Sequence, residues 1–222
     1  MNSDTHHLPE IWDPEPRWPA AIAILAVGGL YAALPHYLIV GPSWLFPALV
    51  ILLLVPTVIT HRTGHHNVNR WFGTAVTVVV TIGMIVSVVL LILDLPARRE
   101  SPTNLLRSAG SLWITNILVF ALWYWRLDAG GPHGRDKRFG HTDGAFLFPQ
   151  MTMPHKGKPR ENGRGWSPNF ADYLFLAFNT STAFSPTGVP VLARWAKLVM
   201  MLQSLISLMV LVLLAARAVN IL

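Results

Sequence analysis

The sequence has no cysteine, which excludes disulfides, thiolate metal sites and cysteine nucleophiles, and leaves the redox compartment unmarked. It is also short of charge: 13% of its 222 residues are Asp, Glu, Lys or Arg, where a soluble domain carries about a quarter. The shortage is concentrated. No formally charged residue occurs between Trp18 and His61, or in 71–93, 108–125 and 198–216. Phosphate-binding loops, zinc-protease helices, activated serines and carboxylate pairs within the apolar runs are missing, as is any nucleic-acid motif. The first seventeen residues carry Asp4, Glu10, Asp13 and Glu15 where a cleaved signal would have a basic segment, so the first apolar run is expected to stay.

What is present is hydrophobic length, with 52% of residues apolar. A hydrocarbon layer of about 30 Å needs roughly 20 apolar helical residues. The run 18–61 is about twice that and must fold back, at Pro35-His36 through Gly41-Pro42-Ser43, where prolines and glycine interrupt helical bonding. The expected spans are 18–34, 44–60, 71–93, 108–125 and 198–216. Trp18, Trp44, Trp71, Trp123, Trp125 and Trp195 mark their ends, as amphipathic rings do at headgroup level. Buried tryptophans of a soluble bundle would not explain uncharged runs of this length.

The expected class is therefore an all-α integral membrane protein with about five transmembrane helices. A polar tail (1–17) precedes a four-span membrane domain (18–126). A basic, Gly/Pro-rich extramembrane loop (127–168) follows, and then a half-helix, polar turn and final span (169–222). The formal charge of +6 comes mostly from the stretch after the fourth span, where the loop carries Arg135, Lys137, Arg138, Lys156, Lys158, Arg160 and Arg164, and it fits a membrane surface. The loop is given no regular fold, although Phe146 to Met151 is apolar enough to dock on the membrane domain.

Residues 173–193 are uncharged over a span's length, yet they contain Asn179-Thr180-Ser181-Thr182 and then Pro186, Gly188 and Pro190. Unpaired amides in hydrocarbon cost several kcal/mol each, so irregular backbone survives there only when protein or water satisfies it. A short helix over 169–182 that enters and returns, a re-entrant half-helix, meets this constraint; one lying flat at the interface is the other arrangement. Ser167 or Asn169 can cap it, and Asp172 places negative charge in its first turn.

The order of span, loop, short helix, polar turn and span resembles the pore hairpin of potassium-type channels, in which carbonyls after a half-helix replace the ion's water. That resemblance implies an oligomeric pore for a monovalent cation, lined by Thr180, Ser181, Thr182, Ala183, Phe184 and Ser185. The Gly-Tyr-Gly filter is replaced by Phe184-Ser185-Pro186. Longer strings are similar to an uncharacterised family of bacterial multi-pass membrane proteins. They are Trp113-Ile114-Thr115-Asn116, Val119 to Trp125, Leu127-Asp128 with Gly130-Gly131-Pro132, Phe146 to Met151, Asp172-Tyr173-Leu174, Thr182 to Thr187 and Arg194 to Lys197. Such proteins carry an acid where this chain has Gly188. The resemblance implies a bacterial inner-membrane location and brings no activity with it.

Asn116, Gln203, Ser204 and Ser207 are the polar residues expected at membrane depth, either supporting the turn or joining helices. Gly28, Gly29 and Gly83 are expected to permit close packing. His61, His65 and His66 lack a nearby carboxylate and are read as interfacial, so neither a metal nor a cofactor is expected. An enzyme would have to use His133, Asp136, His141, Asp143 and His155 of the loop; none is expected. The distribution of Lys and Arg favours a cytoplasmic loop, whereas the channel arrangement requires the opposite. The leading expectation is the pore, and its rival is a non-conducting scaffold that binds a partner or lipid through the basic loop.

Overall fold

The computed structural model describes residues 15–62, 66–94, 102–136, 144–153, 166–185 and 188–219. In chain order its helices are α1 (Trp18–Ala32), α2 (Leu45–Arg62), α3 (His66–Asp94), α4 (Pro102–Leu127), α5 (Gly131–Asp136), α6 (Pro149–Thr152), α7 (Phe170–Ala183) and α8 (Arg194–Val219). Short 3-10 turns cover His36–Leu38 and Asp128–Gly130. Among the described residues the chain is all-helical apart from one isolated β-bridge between Phe146 and Val191.

Three helices, α3, α4 and α8, are long and apolar enough to cross a membrane. The run expected to give two spans gives two apolar helices, α1 and α2, that are shorter than these three. Helix α1 has 15 residues, with a proline in its first turn, and stops before Pro35. At about 1.5 Å per residue that is roughly 22 Å, less than the apolar layer. The chain turns where expected: Gly41 takes φ +80°, a left-handed conformation that favours glycine. Ser87 of α3 donates to the Leu38 carbonyl at 2.8 Å and ties the bend down. Tyr31 stacks on Phe46 with ring centroids 3.9 Å apart.

Helix α4 is the central element and packs against α1, α3, α7 and α8. The apolar stretch containing it is 61% buried, whereas that of α8 is 28% buried, so α8 presents most of its surface outward. Leu198, Met201, Leu205, Leu208 and Val212 form part of that exposed apolar surface. Exposure on this scale is what helices facing lipid show and what a water-soluble monomer avoids.

Helix α7 is fixed at both ends. Asn169 accepts from the Ala171 N–H at 2.8 Å and Asp172 accepts from the Asn169 N–H at 2.8 Å, a reciprocal cap. The first turn lies at the end of α4, where Phe170 meets Trp125 edge-on at 5.9 Å. The last turn lies near the middle of α4, where Asn116 Nδ2 is 3.4 Å from Ser181 Oγ. The chain then returns: Leu147 N–H donates to the Pro190 carbonyl at 2.9 Å and Leu192 N–H to the Ala145 carbonyl at 2.8 Å. Helices α7 and α8 thus start at the same end of the bundle.

The segment 127–168, expected to lack regular structure, contributes a 3-10 turn, α5 and α6 among its described residues. Phe146 and Phe148 are buried, and Phe146 meets Tyr124, Tyr173 and Trp195. The segment therefore docks on the helices through the apolar side chains that its sequence suggested.

Of the glycines expected to allow close packing, Gly83 does so strictly. A Cβ there would lie 2.4 Å from the Phe46 ring, whereas one at Gly28 would make ordinary contact and one at Gly29 would meet nothing. Because the Phe46 ring is already stacked on Tyr31, Gly83→Ala is expected to cost about 1–3 kcal/mol as overpacking. Thermal unfolding in detergent checks this, with Gly29→Ala as the unaffected control.

Candidate functional site

The end of α7 is held by a buried hydrogen-bond hub. The last carbonyls of any helix lack intrahelical donors, and in an apolar interior they must find others. Here α8 provides them: Ser207 Oγ donates to the Ser181 carbonyl at 2.7 Å and Ser204 Oγ contacts the Thr180 carbonyl at 3.5 Å. One turn earlier, Gln203 Nε2 donates to the Ala177 carbonyl and to Ser181 Oγ, both at 2.8 Å. Gln203 Oε1 accepts from the Tyr124 hydroxyl, and Trp113 Nε1 donates to Ser207 Oγ at 3.1 Å. Gln203, Ser207, Asn116 and Ser181 are each fully buried. An i, i+4 pair on one face of α8 therefore reaches α7 and α4 together.

Helix α7 ends in Phe184 at φ +52°, a left-handed position that a glycine would occupy more cheaply. Its side chain is 45% exposed. Beside it lies an open groove of about 590 Å³, lined by Thr180, Ser185, Val191, Lys197 and Ser204 among others.

A second buried polar cluster joins the start of α1 to the end of α4. Arg135 Nη1 donates to the carbonyls of Trp125 and Asp128 at 2.8 and 3.0 Å, and so caps the end of α4. Its Nη2 binds Glu15 at 2.8 Å. Arg17 binds Asp136 at 2.9 Å, and Trp125 Nε1 donates to Glu15 at 2.5 Å. Asp128 is fully buried and accepts from the Tyr173 hydroxyl at 2.6 Å and the Ala145 N–H at 2.5 Å, linking α4, α7 and the Phe146 segment. Burial pushes the Glu15 carboxyl above its usual range, against the opposing pull of Arg135.

The six pore-lining candidates are not on one face. Thr180 and Ser181 are buried against α8, Thr182, Ala183 and Phe184 are exposed, and Ser185 is half-buried. Asn116, Gln203 and Ser207 meet in one hub. Of the loop residues an enzyme would use, Asp136 is bound to Arg17 and His133 is partly buried. His141, Asp143 and His155 lie outside the described residues, as do the side chains of His61, His65 and His66. Among the described residues no group of three His, Asp or Glu is arranged for a metal.

Sequence reasoning missed Asp128, Tyr173, Arg135 and Glu15 as partners. Charge beside an apolar run reads as solvated, and nothing in the spacing shows a carboxylate folding inward onto a tyrosine 45 residues away. Comparison with family models, curated proteins and solved structures gives no match to this chain.

Replacing Gln203 by Leu leaves the Tyr124 and Ser181 hydroxyls short of a partner and takes away the second donor to the Ala177 carbonyl. Gln203→Leu is expected to destabilise by about 1–3 kcal/mol, while Ser204→Ala, which removes only a 3.5 Å contact, costs a few tenths. Unfolding of both variants in one detergent measures the difference.

Proposed function

We propose that this chain is a multi-pass membrane protein with five crossings and one re-entrant half-helix, acting as a non-conducting binding protein for anionic lipid through its basic segment. The topology is supported by which ends lie together. Arg17 before α1 reaches Asp136 after α4, and Asn69 of α3 donates to the Thr57 carbonyl of α2 at 2.5 Å. The short α1 and α2 cross a bilayer thinned locally around them, at a cost of fractions of a kcal/mol per Å of mismatch. Helix α7 enters from the end where α4 finishes, stops beside the middle of α4 and is followed by the return that starts α8.

The observation that carries the non-conducting reading is the consumption of the groups at the end of α7. A conduction path needs carbonyls and hydroxyls free to replace water. The Ser181 carbonyl and the Ser181 hydroxyl are taken up by α8 of the same chain. Binding to an anionic surface follows from charge. Glu15 and Asp136 are paired inward with Arg135 and Arg17, so they do not offset Lys137, Arg138, Lys156, Lys158, Arg160 and Arg164. Each Lys or Arg near an anionic leaflet contributes about 1 kcal/mol. The same charges favour a cytoplasmic position for this end, in a bacterial inner membrane.

The oligomeric pore is a second reading, favoured by the exposure of Thr182, Ala183 and Phe184 beside the groove and by the uncovered apolar surface of α8. Liposome experiments separate the two. The full chain should show background cation flux and a preference for spin-labelled phosphatidylglycerol over phosphatidylcholine that falls severalfold when the six basic residues become Gln. Cation flux that changes with Thr182→Ala, together with unchanged lipid preference in the Gln variant, would select the pore.

A further inference from the structure

Between α1, α2, α3 and α4, at the end of the bundle that carries the polar cluster, lies a cavity of about 430 Å³. Its apolar lining includes Ile24, Leu54 and Val58, and its charged lining is Arg17 and Arg126. The two arginines differ. Arg17 is tied to Asp136 at 2.9 Å. Among the described residues no hydrogen bond or ion pair engages Arg126, and its Nε is buried with no partner. The neighbouring carboxylates of Glu15 and Asp136 are already held by Arg135 and Arg17.

The Arg126 guanidinium is nonetheless placed. Its Cζ lies 5.7 Å from the centre of the Trp125 ring, and it rests on α3 where a side chain is missing. A Cβ on Gly73 would lie 2.2 Å from Arg126 Nη1 and 2.6 Å from Nη2. A guanidinium desolvated between a tryptophan face and a glycine backbone, with a donor unused, calls for an acceptor from outside the chain. Its planar fork suits two oxygens of one phosphate.

We infer that this cavity binds an anionic phospholipid, with the phosphate on Arg126 beside the positive charge of Arg17 and an acyl chain along Ile24, Leu54 and Val58. The apolar wall distinguishes a lipid from free phosphate: a bare anion would leave it uncovered. Trp18, 66% exposed and also lining the cavity, stands where an indole meets headgroups. The inference rests on the proposed anionic-lipid reading and deepens it from a diffuse basic surface to one site.

The test is native mass spectrometry of the full chain in detergent, titrated with phosphatidylglycerol, with phosphatidylcholine and inorganic phosphate as separate arms. The expected result is one tightly retained phosphatidylglycerol, with affinity reduced tenfold or more in Arg126→Gln. Gly73→Ala keeps the charge but displaces the guanidinium, a flexible side-chain end, and should weaken retention similarly while the protein stays folded. If Arg126→Gln does not fold, the Gly73→Ala result decides. Equal retention in wild type and the folded variants overturns the site, as does inorganic phosphate competing as well as the lipid. A variant with Lys156, Lys158, Arg160 and Arg164 changed to Gln separates the two claims. Loss of the general lipid preference there, with no effect at Arg126, removes the site and keeps the broader reading. Loss in neither removes both.

Discussion

The structure depends on one constraint: a helix that stops inside an apolar bundle exposes carbonyls that nothing nonpolar can satisfy. Helix α7 stops beside the middle of α4, and Ser207 answers its Ser181 carbonyl from α8, with Gln203 on the Ser181 hydroxyl and Ser204 at the edge of hydrogen-bond range. Tyr124 and Trp113 of α4 then fix the donors by hydrogen-bonding Gln203 and Ser207. Because Gln203 contacts α7 and α4 at once, the three helices are positioned together. The rest follows outward from this hub: α4 becomes the central helix, and α8 keeps an exposed apolar surface.

At the other end the chain faces the complementary problem of charge next to an apolar layer. Asp128 is buried where α4 ends, and it is stable there because the Tyr173 hydroxyl and the Ala145 N–H donate to it while Arg135 lies over the Tyr173 ring at 5.0 Å. One carboxylate thereby joins the end of α4, the entry of α7 and the buried Phe146 segment. Trp113 lies at the first of these polar centres, and Asp128, Phe146 and Tyr173 lie at the second. Between them they set where α7 starts and where it stops.

Much of this was legible in the sequence because membranes impose a coarse code. Long uncharged runs announced α3, α4 and α8, and the Pro35 to Ser43 cluster announced the bend. Asn169 and Asp172 announced the start of α7 through the chemistry of a helix cap. What could not be read was pairing. Arg135, Asp136 and Glu15 look like solvated loop charges, and only the three-dimensional path brings residues about 120 positions apart into contact. Hydropathy runs on to Leu34, while helix α1 ends at Ala32, just ahead of Pro35. The pore candidates read as one polar turn, but helical rotation sends Ser181 inward and Thr182 outward.

Since the chain has no cysteine, a single introduced thiol labels one position only. Spin labels at Ser167→Cys, Thr182→Cys and Leu192→Cys in lipid bilayers measure depth by their accessibility to oxygen and to a water-soluble nickel complex. A re-entrant α7 predicts that 167 and 192 are reached by nickel from one side, while 182 lies in the apolar layer, reached by oxygen and shielded from nickel on both. Nickel accessibility at 182 equal to that at 167, or 192 exposed on the opposite side, would contradict it.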